Sequence, residues 1–236
     1  MSNKQKGFTL VELAIALMVI GLLIGGVLKG QELIDNAKII RTAKDIHDYD
    51  TAFMMFRSIY NHLPGDLPKA SIRLPNCNTS PCNYSFNGIG QGRITDLPYS
   101  IIEVERNVWI HMNRAGLISS VNDSLPPNSY RYTTSPMHGL GGYLHMRWYG
   151  TPLIGYEHLP GYNRLILRGG PNGMENIKGH YAEKLDLKID DGKPNSGFIQ
   201  PPPAGSGLNG ACAIMSNTTY PSNGECSIYI YLSGAN

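Results

Sequence analysis

The chain lacks most of the features that mark an enzyme or a nucleic-acid binder. It has no P-loop, no HExxH and no Rossmann glycine fingerprint. Gly205-Ser206-Gly207 lacks the strand and helix context of a nucleophile elbow. The seven histidines, at 47, 62, 111, 138, 145, 158 and 180, show no ligand spacing. There is no internal repeat. Net charge is only +2, from 20 basic and 18 acidic side chains, so no bulk positive charge is available to hold phosphates, and nucleic acid is not an expected partner. Cysteine is scarce, four in 236 residues. Residues 29–60 contain no proline, so nothing in that stretch forces a helix to stop.

What is present begins with Lys4 to Leu28, KQKGFTLVELAIALMVIGLLIGGVL. A basic leader ends at Gly7, and Phe8 to Leu28 runs 21 residues with one ionisable side chain, Glu12. At ~1.5 Å per residue such a helix spans a ~30 Å hydrocarbon core. Lys4 and Lys6 precede it, which keeps the N-terminus cytoplasmic and sends the rest outward. An ordinary signal peptide fits poorly, because the run is too long and no small-x-small cleavage site closes it. A plain signal anchor leaves Glu12 unexplained, since a carboxylate inside a membrane helix is costly.

Gly7-Phe8-Thr9-Leu10-Val11-Glu12-Leu13 resembles the prepilin cleavage and methylation motif of type IV pilins and type II secretion pseudopilins. That pattern is a glycine, a cut, an N-methylated phenylalanine and a glutamate as fifth residue of the mature chain. Gly7, Phe8 and Glu12 match it. The strict match covers about the first 60 residues. One departure is Lys29, which stands where many members carry a helix-breaking proline. The resemblance implies cleavage between Gly7 and Phe8, methylation of Phe8, and pairing of Glu12 with the Phe8 amine of a neighbouring subunit. A glutamate neutralising its own N-terminus is the rival reading of Glu12.

The expected divisions are a leader at 1–7, a membrane-spanning half-helix at 8–28, an amphipathic half-helix at 29–60 and a head at 61–236. Removing residues 1–7 removes Lys4 and Lys6 and leaves 18 basic against 18 acidic residues. In the second half-helix, Leu33, Ala37, Ile40, Ala43, Ile46, Tyr49, Phe53, Phe56 and Tyr60 recur at steps of three or four, a stripe on which a head can pack. His62-Leu63-Pro64-Gly65-Asp66-Leu67-Pro68 ends the helix in a turn. LPGDLP and the later KIDDGKPNSG resemble phrases of large-headed pilin-like proteins.

In the head, Asn76 to Gly92 reads as an exposed loop. Ile101 to Ala115 reads as a helix capped by Gly116, with Trp109 in the core and His111 on the surface. Strands are expected at 129–134, 143–149 and 164–168, with the polar alternates Tyr143, His145, Arg147 and Tyr149 facing solvent. A helix is expected over 176–191, and last strands at 211–215 and 227–232. Four outward cysteines in an oxidising compartment suit two disulfides. Cys77–Cys82 and Cys212–Cys226 are favoured over the other pairings because short loops cost least to close. A zinc site is the lesser alternative. Asp186, Asp190, Asp191 and Asn195 form a weak calcium candidate whose spacing departs from the EF-hand loop.

The expected fold is therefore α+β and pilin-like, a long N-terminal helix on an antiparallel sheet with two further helices. The resemblance implies a filament subunit without catalytic residues or cofactor. It would be stored in the inner membrane with its head in the periplasm. Its partners would be a prepilin peptidase that is also an N-methyltransferase, an assembly platform protein and ATPase, and other pilin or pseudopilin subunits. A tip-located minor pilin acting as adhesin or DNA-uptake module is the alternative. A membrane-anchored enzyme is disfavoured by the missing site.

Overall fold

The absence of proline from 29–60 shows directly in α1, an unbroken helix over Leu10–Tyr60. This is a computed structural model; it describes residues 7–79, 82–83, 101–119, 121, 134–148, 163–169, 176–201, 219–221 and 224–232. Residues 1–38 and 39–236 make two separate compact units. The first contains the lower part of α1, and its apolar side chains from Phe8 to Leu28 are largely solvent-exposed. The helix is long and apolar enough to cross a membrane.

The second unit holds the core. Ile39, Thr42, Ile46, Tyr49, Ala52, Phe53 and Phe56 are the buried face of α1. The stripe expected from the sequence is thus right from Ala43 upward and wrong below it, because Leu33, Ala37 and Ile40 are exposed. Helical spacing identifies a face but does not say where the packing partner begins. Asn61, at φ 54°, ends the helix in the left-handed region, which asparagine tolerates better than most residues. The LPGDLP turn and a short helix α2 (Ala70–Arg73) follow. Arg73 folds back to donate to the Tyr60 carbonyl at 2.6 Å.

Helix α3 (Ile101–Arg114) ends as expected at Gly116, φ 72°. Leu117 N–H donates to Met112 O at 3.0 Å, the bond that closes a Schellman cap. Its Trp109 is buried and meets Tyr49 edge to face, centroids 5.4 Å apart.

The main sheet is antiparallel, in the order β1 (Met137–His138), β2 (Gly142–Trp148), β3 (Asn163–Arg168), β7 (Ile228–Tyr231), β5 (Ile199–Gln200). Leu144 pairs with Leu167, Met146 with Leu165, Leu165 with Ile230 and Leu167 with Ile228. These side chains form one buried face, in the same core as Phe53, Phe56 and Trp109. The opposite face differs from expectation. His145, Ile166, Tyr229 and Gln200 lie in one cross-strand row and all are buried. The polar alternates of β2 therefore do not face water at His145, which is buried where period two alone would leave it outside. Gly142 is needed for close approach, since a Cβ there would lie 1.8 Å from the Arg168 carbonyl oxygen.

A second, two-stranded sheet pairs β4 (Ile177–Lys178) with β6 (Glu225–Cys226). Helix α4 (Gly179–Ile189) follows β4, so the expected helix over 176–191 loses its first turn to a strand. Ala182, Leu185 and Asp186 are its buried side chains, and Tyr181 packs partly buried against the core. Most of the loop expected over 76–92, the strand over 211–215 and most of that over 129–134 lie outside the described residues.

Candidate functional site

The site begins where α1 begins. Thr9 precedes the first helical residue, and Glu12 is the third residue of the helix. Glu12 N–H donates to Thr9 Oγ1 at 3.3 Å, while Thr9 N–H and Thr9 Oγ1–H each donate to Glu12 Oε2 at 2.9 Å. This is a reciprocal capping box, which satisfies amide donors that a helix start otherwise leaves open. The T-x-x-E spacing was visible in the sequence, and Thr9 is the functional partner that reading the carboxylate alone missed. Gly7 is exposed, and a Cβ there would meet nothing within 4 Å. The fold of this chain therefore makes no demand for glycine at that position.

The other candidates lie in the head. Cys77 and Cys82 are joined in a disulfide, the first expected pair. Cys226 is also disulfide-bonded; Cys212, its expected partner, lies outside the described residues. His111 sits against the Cys77–Cys82 bridge, buried where a surface position was expected. Its Nδ1 accepts from Gly65 N–H at 2.9 Å and its Nε2 lies 2.9 Å from Cys82 O, so it is neutral with the proton on Nε2. The ring also stacks on Phe56. Burial lowers its pKa to about 4. A buried imidazole with both nitrogens in use ties the LPGDLP turn, the disulfide loop and α3 together. With the sulfurs bonded to each other, these groups do not make the zinc site weighed from the sequence.

His138 repeats this device at the sheet edge. Leu140 N–H donates to its Nδ1 at 3.3 Å and its Nε2 lies 2.9 Å from Arg168 O. Burial, with nearby His145, takes its pKa to about 4.

The acidic candidate is partly assembled. Carboxylate oxygens of Asp186, Asp190 and Asp191 lie within 4.8 Å of one another, and the fourth candidate, Asn195, is exposed. Each carboxylate is committed to its own neighbourhood. Asp186 accepts from Tyr220 OH at 2.7 Å and Gly192 N–H at 3.2 Å. Asp190 accepts from the amides of Phe198 and Ile199. Asp191 accepts from Lys193 N–H at 2.9 Å and Ser196 Oγ–H at 2.5 Å. Burial raises the Asp186 pKa to about 6 against those two hydrogen bonds, whereas Ser196 and Lys193 lower that of Asp191. The arrangement fastens the end of α4 to β5 and to Tyr220.

A groove of about 510 Å³ runs between α1, α4 and the β5–β7 edge, floored by Ile46, Ile230 and Leu232 and rimmed by Lys44 and Lys188. Nothing in the sequence pattern pointed to it, because its walls come from segments far apart in the chain, Ile46 on one side and Ile230 on the other.

No curated protein and no solved structure matches the chain. The motif points to a structural subunit processed by prepilin peptidase and assembled with other subunits. Residues 2–28 match the family described as Prokaryotic N-terminal methylation motif, and the chain thus carries at its N-terminus the signature of type IV pilins and pseudopilins.

Proposed function

We propose that this chain is a structural subunit (pilin, minor pilin or pseudopilin) of a type IV pilus or type II secretion-type filament. The observation that carries it is the methylation motif at 2–28 leading into a helix whose apolar side chains from Phe8 to Leu28 are exposed among the described residues. Residues 1–7 are the leader, 8–28 the membrane-spanning half, 29–60 the amphipathic half and 61–236 the head. Cleavage between Gly7 and Phe8 releases an amine on Phe8, which is then methylated. The subunit waits in the inner membrane with its head in the periplasm until an assembly ATPase and platform protein extract it.

In this reading Glu12 has two successive partners. In the precursor it closes the capping box with Thr9. In the filament it pairs with the Phe8 amine of a neighbour, a contact whose desolvation cost makes register its main product. Gly7 serves the peptidase, since the chain's own packing does not require it. The test is Gly7→Leu in a bacterium with a prepilin peptidase. The variant should remain at precursor mass in the membrane; normal cutting and assembly would refute the reading.

A further inference from the structure

Among the exposed apolar features of the described residues, a ridge and a groove stand out. The first is the ridge. Leu33 and Ile34 are 61 % and 57 % exposed, and they lie between the carboxylates of Glu32 and Asp35. They follow Leu28 by five and six residues, roughly 7–9 Å along a helix, so on the proposed span lipid chains do not reach them. The second is the groove. Its lips, Ile40 and Phe198, are 55 % and 61 % exposed, and its floor is Ile46, Ile230 and Leu232. Lys188 stands on its rim and forms no ion pair among the described residues.

We propose that the groove receives the Glu32–Asp35 ridge of a second copy of this chain, with Leu33 and Ile34 against its apolar floor and an acidic flank facing Lys188. Resting on the filament-subunit reading, this names the surfaces through which subunits meet outside the membrane. The shapes are complementary, a helix ridge against a concave slot, the mode in which amphipathic helices enter apolar grooves. Charge agrees at Lys188: Asp50 also lines the groove and Lys44 pairs with Asp48, which leaves Lys188 as the rim cation that meets the acidic flank. Glu32 and Asp35 already sit in exposed pairs, with Lys29 at 2.7 Å and Lys38 at 3.3 Å. Exposed pairs of this kind contribute little, so exchanging a partner costs little. The mature chain balances 18 basic against 18 acidic residues, so copies approach without net repulsion. Ridge and groove are different surfaces, so the contact is heterologous, and such contacts can propagate as open filaments rather than closing into a two-fold dimer.

The test places a photoreactive benzophenone side chain at Phe198 in the full-length protein, expressed at native level in cells that process and assemble it. Irradiation should give covalent dimers and longer ladders, with the crosslink mapped to the peptide holding Leu33 and Ile34 of another copy. Lys188→Glu should lower the yield severalfold, because a rim attraction becomes a like-charge repulsion. Adding Glu32→Lys should restore much of it. The N-terminal mass of the same sample reports cutting at Gly7. A processed chain that crosslinks elsewhere on its neighbour, to lipid, to a different protein or to nothing overturns the groove proposal alone. A chain that is never processed overturns the filament reading itself.

Discussion

The two parts of α1 are built of similar residues and meet opposite fates. Leu28, Leu33 and Ile34 stay exposed, whereas Ile39, Thr42 and Ile46 are buried. Charge does not separate them. Lys29–Glu32 and Lys38–Asp35 pair in the lower part, Arg41–Asp45 and Lys44–Asp48 in the upper, all within the helix. What separates them is the sheet and α3, which cover one face from Ile39 onward. A helix of this length satisfies its own backbone. Only the upper part also serves as a wall of a core, so the same substitution has different consequences in the two parts.

The largest expected effect follows. Phe53→Ala should cost the head about 3–5 kcal/mol, since Phe53 is fully buried. Leu22→Ala, on the exposed lower part, should leave the melting temperature of the head unchanged. Near-UV circular dichroism of the full chain in detergent measures both, and equal losses would break the comparison. Next, replacing Cys226 by serine should cost more than replacing Cys77. In the chain-entropy model a ~15-residue loop is worth about 3 kcal/mol and shorter loops less. A larger loss from Cys77→Ser would reverse the ranking and make the loop against His111 the stronger clamp.

Acid should act on the head and not on the lower helix. His111 and His138 take up a proton near pH 4 when folded and near 6.5 when unfolded. The unfolded chain binds more protons in that window, so stability falls as pH drops from about 6.5 to about 4. Asp186 opposes this. Its folded pKa of about 6 exceeds 3.8, so its contribution improves as pH falls through 6 toward 3.8. Burial also raises the Asp45 pKa, which opposes the histidines at the acid end. The two histidines act over the whole window and predict a falling melting temperature from pH 6.5 to 4, which Asp186→Asn should steepen. A flat profile in that variant would show that the histidines are not the responsible groups.

The smallest effect on the head, and the most telling for assembly, concerns Thr9 and Glu12. Thr9→Ala removes a cap worth about 1 kcal/mol at the helix start and should not move the head's melting point. Glu12→Ala should likewise leave the head and the cut at Gly7 intact while incorporation into filaments falls. If both variants lower incorporation equally, the capping box explains Glu12, and the neighbour's amine is not needed.

The sequence by itself determined what is local. The apolar run and the prolineless stretch depend on an uninterrupted sequence of neighbours, and the Gly7-Phe8…Glu12 pattern and the Gly116 cap on spacing within a turn or two of helix. Strands β2, β3 and β7 were legible for the same reason, because alternation is a property of neighbours in the chain. Short strands such as β1 and β5 exist only by pairing with longer ones, and β4 lay hidden inside an expected helix. Tertiary structure alone decided which apolar residues of α1 are covered, why His111 and His145 are inside, and that Asp186 meets Tyr220. It also brought Ile46, Ile189, Phe198 and Ile230 to one groove. Burial is a relation between distant segments, and a periodic pattern records only that a residue can be buried, not what arrives to bury it.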